Sequence, residues 1–145
     1  MRMPDETHKP PEPPNPHEPW SYGLFIPHDP RAVGIVRTTV RAILKAARLH
    51  CVVDTAELLV SELATNAYRY SKTDAYVSVD WVPHDLRVAV WDTGSGLPRR
   101  HSPTGEDEHG RGLGLVQACA DAWGVQSHEG DPDSPGKAVW FSLGT

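Results

Sequence analysis

The hydrophobic positions of this chain change period several times, and each change marks a predicted element. Ser21–Ile26, closed by Pro27, places Tyr22, Leu24 and Ile26 on one side and reads as a short strand. From about Ala32 to Arg48 the apolar residues Val33, Val36, Val40, Ile43, Leu44 and Ala47 recur with a helical period. Asp29-Pro30 in front of them suits a helix start, with Asp as cap and Pro at the first position. Leu49–Val53 breaks the pattern, and a second helix is predicted from Asp54 to about Tyr70, with Glu57 at capping-box spacing from Asp54. Alternation by twos then takes over. Tyr76–Val82 sets Val77, Val79 and Trp81 against Ser78 and Asp80, and Leu86–Trp91 sets Leu86, Val88 and Val90 against Arg87 and Ala89. A turn around Pro83-His84-Asp85 joins the two as a hairpin. Residues 92–111 read as a long polar loop, Leu113–Ala122 as a third helix, and Trp123–Ser127 with Lys137–Leu143 as a last strand pair across the turn Glu129–Gly136.

The resulting order is strand, helix, helix, two strands, loop, helix, two strands. It predicts an α+β fold: a two-layer sandwich of helices on one face of a mostly antiparallel sheet. A doubly wound βαβ repeat does not fit this order. Composition narrows the picture further. Seven of the 14 prolines fall in residues 1–19, which predicts a disordered tail and leaves 20–145 as one domain. The net charge of -5 argues against a nucleic-acid binder. With no apolar run long enough to span a bilayer and no apolar leader at the start, the expectation is a cytoplasmic protein without a membrane partner. Cys51 and Cys119 are expected to be buried, reduced thiols. The tryptophans on strands, Trp81, Trp91 and Trp140, read as packing residues.

Three segments depart from plain packing. In the second helix Leu58, Leu59, Glu62, Leu63, Asn66 and Tyr70 share one face, so an acid and an amide interrupt an apolar stripe one turn apart. Buried and unpaired, each would be costly, so a polar partner is expected there. A magnesium ion would take the Asn66 oxygen, and Glu62 could orient or deprotonate a hydroxyl or water. The plainer account is a solvent-edge Glu beside a helix-interior Asn. Second, Asp92-Thr-Gly-Ser-Gly96 continues the inner face of Leu86, Val88 and Val90 as the strand ends. A carboxylate there can accept from an exocyclic amine such as that of adenine, while Gly94 and Gly96 allow close approach to a flat ring. The plainer account is a tight turn. Third, Gly110-Arg-Gly-Leu-Gly114 leads toward a helix, where bare backbone N–H groups suit phosphates. Its spacing is neither a P-loop nor a dinucleotide fingerprint, and a flexible loop against a close-packed helix explains it alone.

Together and in this order, the three segments resemble the motifs of the GHKL (Bergerat) ATP-binding superfamily. Glu62–Asn66 is similar to its N box, Asp92–Gly96 to its first glycine box, Gly110–Gly114 to its second, and residues 97–109 stand where its ATP lid would be. The resemblance covers about residues 20–144. It is strongest to the bacterial anti-sigma-factor serine/threonine kinases, above all the actinobacterial regulatory ATP-binding proteins, through Leu59–Ala67, Gly110–Val116, Ala122-Trp-Gly124 and Gly136-Lys-Ala-Val-Trp140. It implies ATP and Mg2+ as cofactors, Glu62 as catalytic base and Asn66 as magnesium ligand. It also implies Asp92 as adenine reader with Gly94 and Gly96 beside it, and Gly110, Arg111, Gly112, Leu113 and Gly114 along the phosphates. The implied activity is phosphorylation of an anti-anti-sigma protein, with a sigma factor as second partner and a homodimer as the assembly. A non-catalytic nucleotide-binding regulator that sequesters a partner is the alternative. The ATP-binding half of a histidine kinase fits less well, because the proline-rich tail cannot form a phosphoacceptor helix pair.

One departure stands out. Several relatives carry Thr after the glycine of the last strand, where it supports the adenine-side Asp. Here the run is Gly136-Lys137-Ala138, with no hydroxyl. Another group or a water must complete the hydrogen bonding of Asp92, and a modest nucleotide affinity is expected. Lys137 itself reads as a solvated lysine at a strand end. The histidines form no compact ligand set, so no metal is expected beyond nucleotide-bound Mg2+.

Overall fold

The computed structural model describes residues 15–92, 108–127 and 136–145. Residues 1–14 of the proline-rich tail, residues 93–107 with Gly94, Gly96 and most of the lid segment, and residues 128–135 of the last turn lie outside the described residues.

Five strands, β1 (Trp20–Ile26), β2 (Ala75–Val82), β3 (Asp85–Asp92), β4 (Ala122–Ser127) and β5 (Lys137–Gly144), form one sheet in the order β1-β2-β3-β5-β4. Every neighbouring pair is antiparallel. The helices α1 (Ala32–Ala46), α2 (Val53–Tyr70) and α3 (Glu108–Cys119) complete the fold. The core lies between the layers. Val77, Val79, Trp81, Leu86, Val88, Val90, Phe141 and Leu143 supply the sheet side, as the alternation requires. Val36, Val40 and Leu44 of α1, Leu59, Val60 and Leu63 of α2, and Val116 of α3 meet them from the helix side. The outer sheet face carries its own aromatic packing: the Arg87 guanidinium lies 4.1 Å from the Trp140 ring centre.

Where the structure departs from the pattern, a local competitor explains it. α1 begins at Ala32, two residues after Pro30, because Asp29 closes a turn first. Its side chain accepts the Arg31 N–H at 2.8 Å and its carbonyl accepts the Ala32 N–H at 2.9 Å. Hydrogen bonding to Arg31 holds the Asp29 carboxyl down to about 2. α2 begins at Val53 with no side-chain cap. The expected capping pair is engaged elsewhere: Asp54 and Glu57 both accept from Arg41 of α1, at 3.0 and 2.5 Å. The α1–α2 connection has its own stop. The Leu49 N–H reaches the Leu44 carbonyl and the Arg48 N–H the Lys45 carbonyl, with Arg48 at φ 61. This is a Schellman closure with arginine in the left-handed position that usually takes glycine.

The third helix differs most. It spans Glu108–Cys119, so it starts five residues before the expected Leu113 and ends before Ala122, which opens β4. Three glycines in its first seven residues hide the helix from any propensity argument. Both cysteines are exposed, against expectation. Cys51 sits in the single 3-10 turn before α2, and Cys119 closes α3 on its outward side. Leu58 and Tyr70, placed on the apolar face of α2 by periodicity, are also exposed. No described helix is long and apolar enough to cross a membrane.

Candidate functional site

The connections bring the singled-out residues to one end of the sandwich. α2 ends at Tyr70, and β2 begins at Ala75. A four-residue link reaches only about 14 Å, so the last turns of α2 stay above that end of the sheet. Ala75 pairs with Asp92, the final residue of β3, and Asp92 pairs with Lys137, the first of β5. α3 leaves its far end through a short link into Ala122, which pairs with Ser142 at the opposite end of β5. The beginning of α3 therefore lies on the side of Asp92 and Lys137. Asn66, one turn before the end of α2, lies on that side too, with Glu62 a further turn back.

Asn66 is 8% exposed, and among the described residues its Nδ2 finds no hydrogen-bond partner. A buried amide nitrogen without a partner costs about 1–3 kcal/mol, so its retention points to a ligand. An amide exchanges its oxygen and nitrogen by turning over, so this orphaned group can present its oxygen to a cation. Glu62 is half-buried, and its side chain makes no hydrogen bond or ion pair among the described residues. An amide and a carboxylate one helical turn apart, with neither the Asn66 Nδ2 nor the Glu62 side chain engaged among the described residues, form a donor set of oxygens that fits magnesium. The described residues hold no cluster of His, Cys, Asp and Glu that would keep a metal by itself.

The sheet side of the site is not as expected. Lys137 is 5% exposed and donates from Nζ to Asp92 Oδ1 at 3.3 Å. It is a buried partner of Asp92, not a solvated strand-end lysine. The missing threonine hydroxyl is thus answered by an ammonium. This placement was legible by counting back in twos from Leu143, Phe141 and Val139, which puts Lys137 on the inner face. A lysine there needs a carboxylate, and Asp92 stands directly across the strand pair.

The second glycine segment lies within α3. In a helix starting at Glu108 the N–H groups without an intrahelical acceptor end at Gly110. Gly110 keeps a backbone donor that suits an anion, while the N–H groups of Arg111, Gly112, Leu113 and Gly114 fall in the hydrogen-bonded part. The Leu113 side chain belongs to the core. Gly114 is exposed, and among the described residues a Cβ built there meets no atom within 4 Å beyond its own helix. The described fold does not need glycine at that position.

A family model described as a histidine kinase-like ATPase domain matches residues 26–143. Among solved structures, the chain is similar to the RsbU and RsbW domains of Rv1364c from Mycobacterium tuberculosis, at 14% identity and a TM-score of 0.57. That match covers 85% of this chain and 32% of the other, so the chain spans about a third of that structure. The mycobacterial sensor histidine kinase MprB also matches, at 16% identity and a TM-score of 0.47, over 88% of this chain and 97% of that one. No curated protein matches.

Proposed function

The chain belongs to the histidine kinase-like ATPase domain family, and from that premise we propose that it is an ATP-dependent protein serine/threonine kinase. Its acceptor would be a Ser or Thr of an anti-anti-sigma protein, and in its other partner state it would hold a sigma factor, as a cytoplasmic homodimer. ATP binding goes with the family, and the α+β sandwich is the fold expected of it. The observation that carries the reading is the orphaned, buried Asn66 amide one turn from the unengaged Glu62. The anti-sigma role rests on the motif resemblance and on likeness in fold to a protein described as carrying an RsbW domain.

In this reading Asp92 accepts from the base, and the first N–H groups of α3 face the phosphates. Asn66 holds magnesium, which when bound neutralises phosphate charge. Glu62 takes the proton of the acceptor hydroxyl as its oxygen attacks the γ-phosphorus. One O–P bond forms, the bond to the departing ADP oxygen breaks, and the proton remains on the carboxylate. Gly94, Gly96 and residues 97–107 belong to the proposal as base-side turn and lid. A second reading, a non-catalytic nucleotide-binding regulator, draws on Lys137 standing against Asp92 where relatives use a hydroxyl.

Two tests bear on the site. Calorimetric titration with Mg2+-ATP should show Asn66→Ala binding about tenfold or more weakly, with the loss confined to magnesium-containing buffer. Equal affinity with and without magnesium in wild type removes Asn66 as the ligand. Gly114→Ala should stabilise the empty protein by about 0.5–1 kcal/mol, because alanine is the better helix former, and should weaken nucleotide binding by filling the open space. Paired melting and titration read both effects. A more stable variant with unchanged affinity places Gly114 outside the site. Partner capture with and without ATP, followed by phosphosite mapping, tests the regulatory role.

A further inference from the structure

We propose that the proline-rich tail, through Pro10-Pro-Glu-Pro-Pro14, docks as a polyproline II strap across the outer face of the sheet. The three described helices pack against the other face. On the outer face the strand pairings line up Gly23, Ser78, Ala89, Trp140 and Gly124 in one row across the five strands. Apart from Trp140 the row carries only small residues. Phe25 and Tyr76, with ring centres 4.7 Å apart, stand on one side of it, and Asp80 and Arg87 on the other. Two of its glycines let aromatic rings lie close along the sheet: a Cβ built at Gly23 collides with the Tyr76 ring, and one built at Gly124 comes within 2.9 Å of Trp140 Nε1. Phe25 is 82% exposed, more than any other large apolar side chain among the described residues. Aromatic surfaces of this kind take polyproline II segments, which are extended before they bind and lose little entropy on docking.

Exit point, reach and charge select this segment as the occupant. The Glu18 N–H bonds to the Asn15 carbonyl at 3.0 Å and the His17 N–H to Asn15 Oδ1 at 2.9 Å. The chain therefore turns just ahead of Trp20, and Asn15 stays beside the edge strand β1. Pro10, Pro11, Pro13 and Pro14 have no N–H to give, so the segment cannot add a strand to that edge and is left to cross the face. At about 3.1 Å per residue, Pro10 to Asn15 covers about 19 Å, the width from β1 to β4 at about 4.8 Å per strand. Glu12 then falls about 9 Å in from β1, two strands over, on β3. That strand carries Arg87, which faces Asp80 across the strand pair but lies over Trp140 instead and makes no ion pair among the described residues. With three residues per turn, Pro10 and Pro13 line one edge of the strap and Pro11 and Pro14 the next, which leaves Glu12 on the third as counter-charge for Arg87.

Paramagnetic broadening in the full chain tests the strap. Cys51→Ser and Cys119→Ser remove the two exposed thiols, and His8→Cys carries a nitroxide next to the prolines. The Gly124 amide and the Trp140 indole N–H should lose at least about twofold more signal than Thr38 and Ala42 on the exposed side of α1. Exchanging Pro10, Pro11, Pro13 and Pro14 for Ser should erase that difference, and these positions lie outside the sheet and helices, so the domain keeps its fold. Broadening that is strongest on α1, that is even over the domain, or that persists in the serine variant overturns the proposal. So does broadening of the same size between a tagged chain and an untagged, isotope-labelled one, because the face then meets a second copy and not its own tail.

Discussion

Glu62→Gln should lower single-turnover phosphotransfer to the cognate acceptor about 100-fold or more, while nucleotide affinity stays within a few-fold of wild type. The substitution keeps the size of the side chain and its capacity for hydrogen bonds, and removes only the basic carboxylate. Glu62 is half-buried on α2 and makes no hydrogen bond or ion pair with a described residue, so the exchange breaks none among the described residues. A loss of rate with retained binding therefore reports on the proton transfer. The assay needs the acceptor protein, because ATP hydrolysis alone lacks an aligned hydroxyl. Asn66→Ala provides the contrast, since its defect should appear already in magnesium-dependent binding. A variant E62Q that transfers phosphate at the wild-type rate removes Glu62 as the base. Wild-type protein that binds ATP and its partner yet transfers nothing favours the non-catalytic reading.

The strands were the most legible part of the fold, and the reason is physical. Val77, Val79 and Trp81 on β2 and Leu86, Val88 and Val90 on β3 must face one layer, so burial repeats every second residue and survives any uncertainty at the ends. α1 was legible for the same reason at the helical period, through Val36, Val40 and Leu44. Helix starts were not. Asp54 and Glu57 have the right residue types for a capping box, but Arg41 arrives from α1 and takes both carboxylates, a contact that spacing along one helix cannot anticipate. The start of α3 was hidden because glycine lowers helix propensity whatever the surrounding structure decides. At the site, Glu62, Asn66 and Asp92 stood out as polar residues breaking apolar faces, and the structure brings Asn66 and Asp92 to one end of the sandwich. Lys137 was missed for a simpler reason. A lysine at a strand end is usually solvated, and although alternation puts it on the inner face, only the pairing of β3 with β5 sets it across from Asp92.

The Asp92–Lys137 pair carries a large expected stability effect. Lys137→Met should cost about 3–5 kcal/mol of unfolding free energy, because it removes the ammonium that bonds to the buried Asp92 carboxylate at 3.3 Å. The methionine nearly matches the lysine stem in length, so lost packing contributes little. The double variant Asp92→Leu/Lys137→Met should recover most of that loss. Two apolar side chains in place of a buried ion pair are often neutral or stabilising, since the desolvation of both charges no longer has to be offset. Denaturant unfolding of the two single variants, the double variant and wild type closes a double-mutant cycle, and the coupling should exceed what an exposed pair gives, about 1 kcal/mol at most. A K137M variant as stable as wild type would mean that Asp92 does not rely on Lys137 in solution. A double variant that regains stability while losing all nucleotide binding would show that the two charges are kept for the ligand and not for the fold.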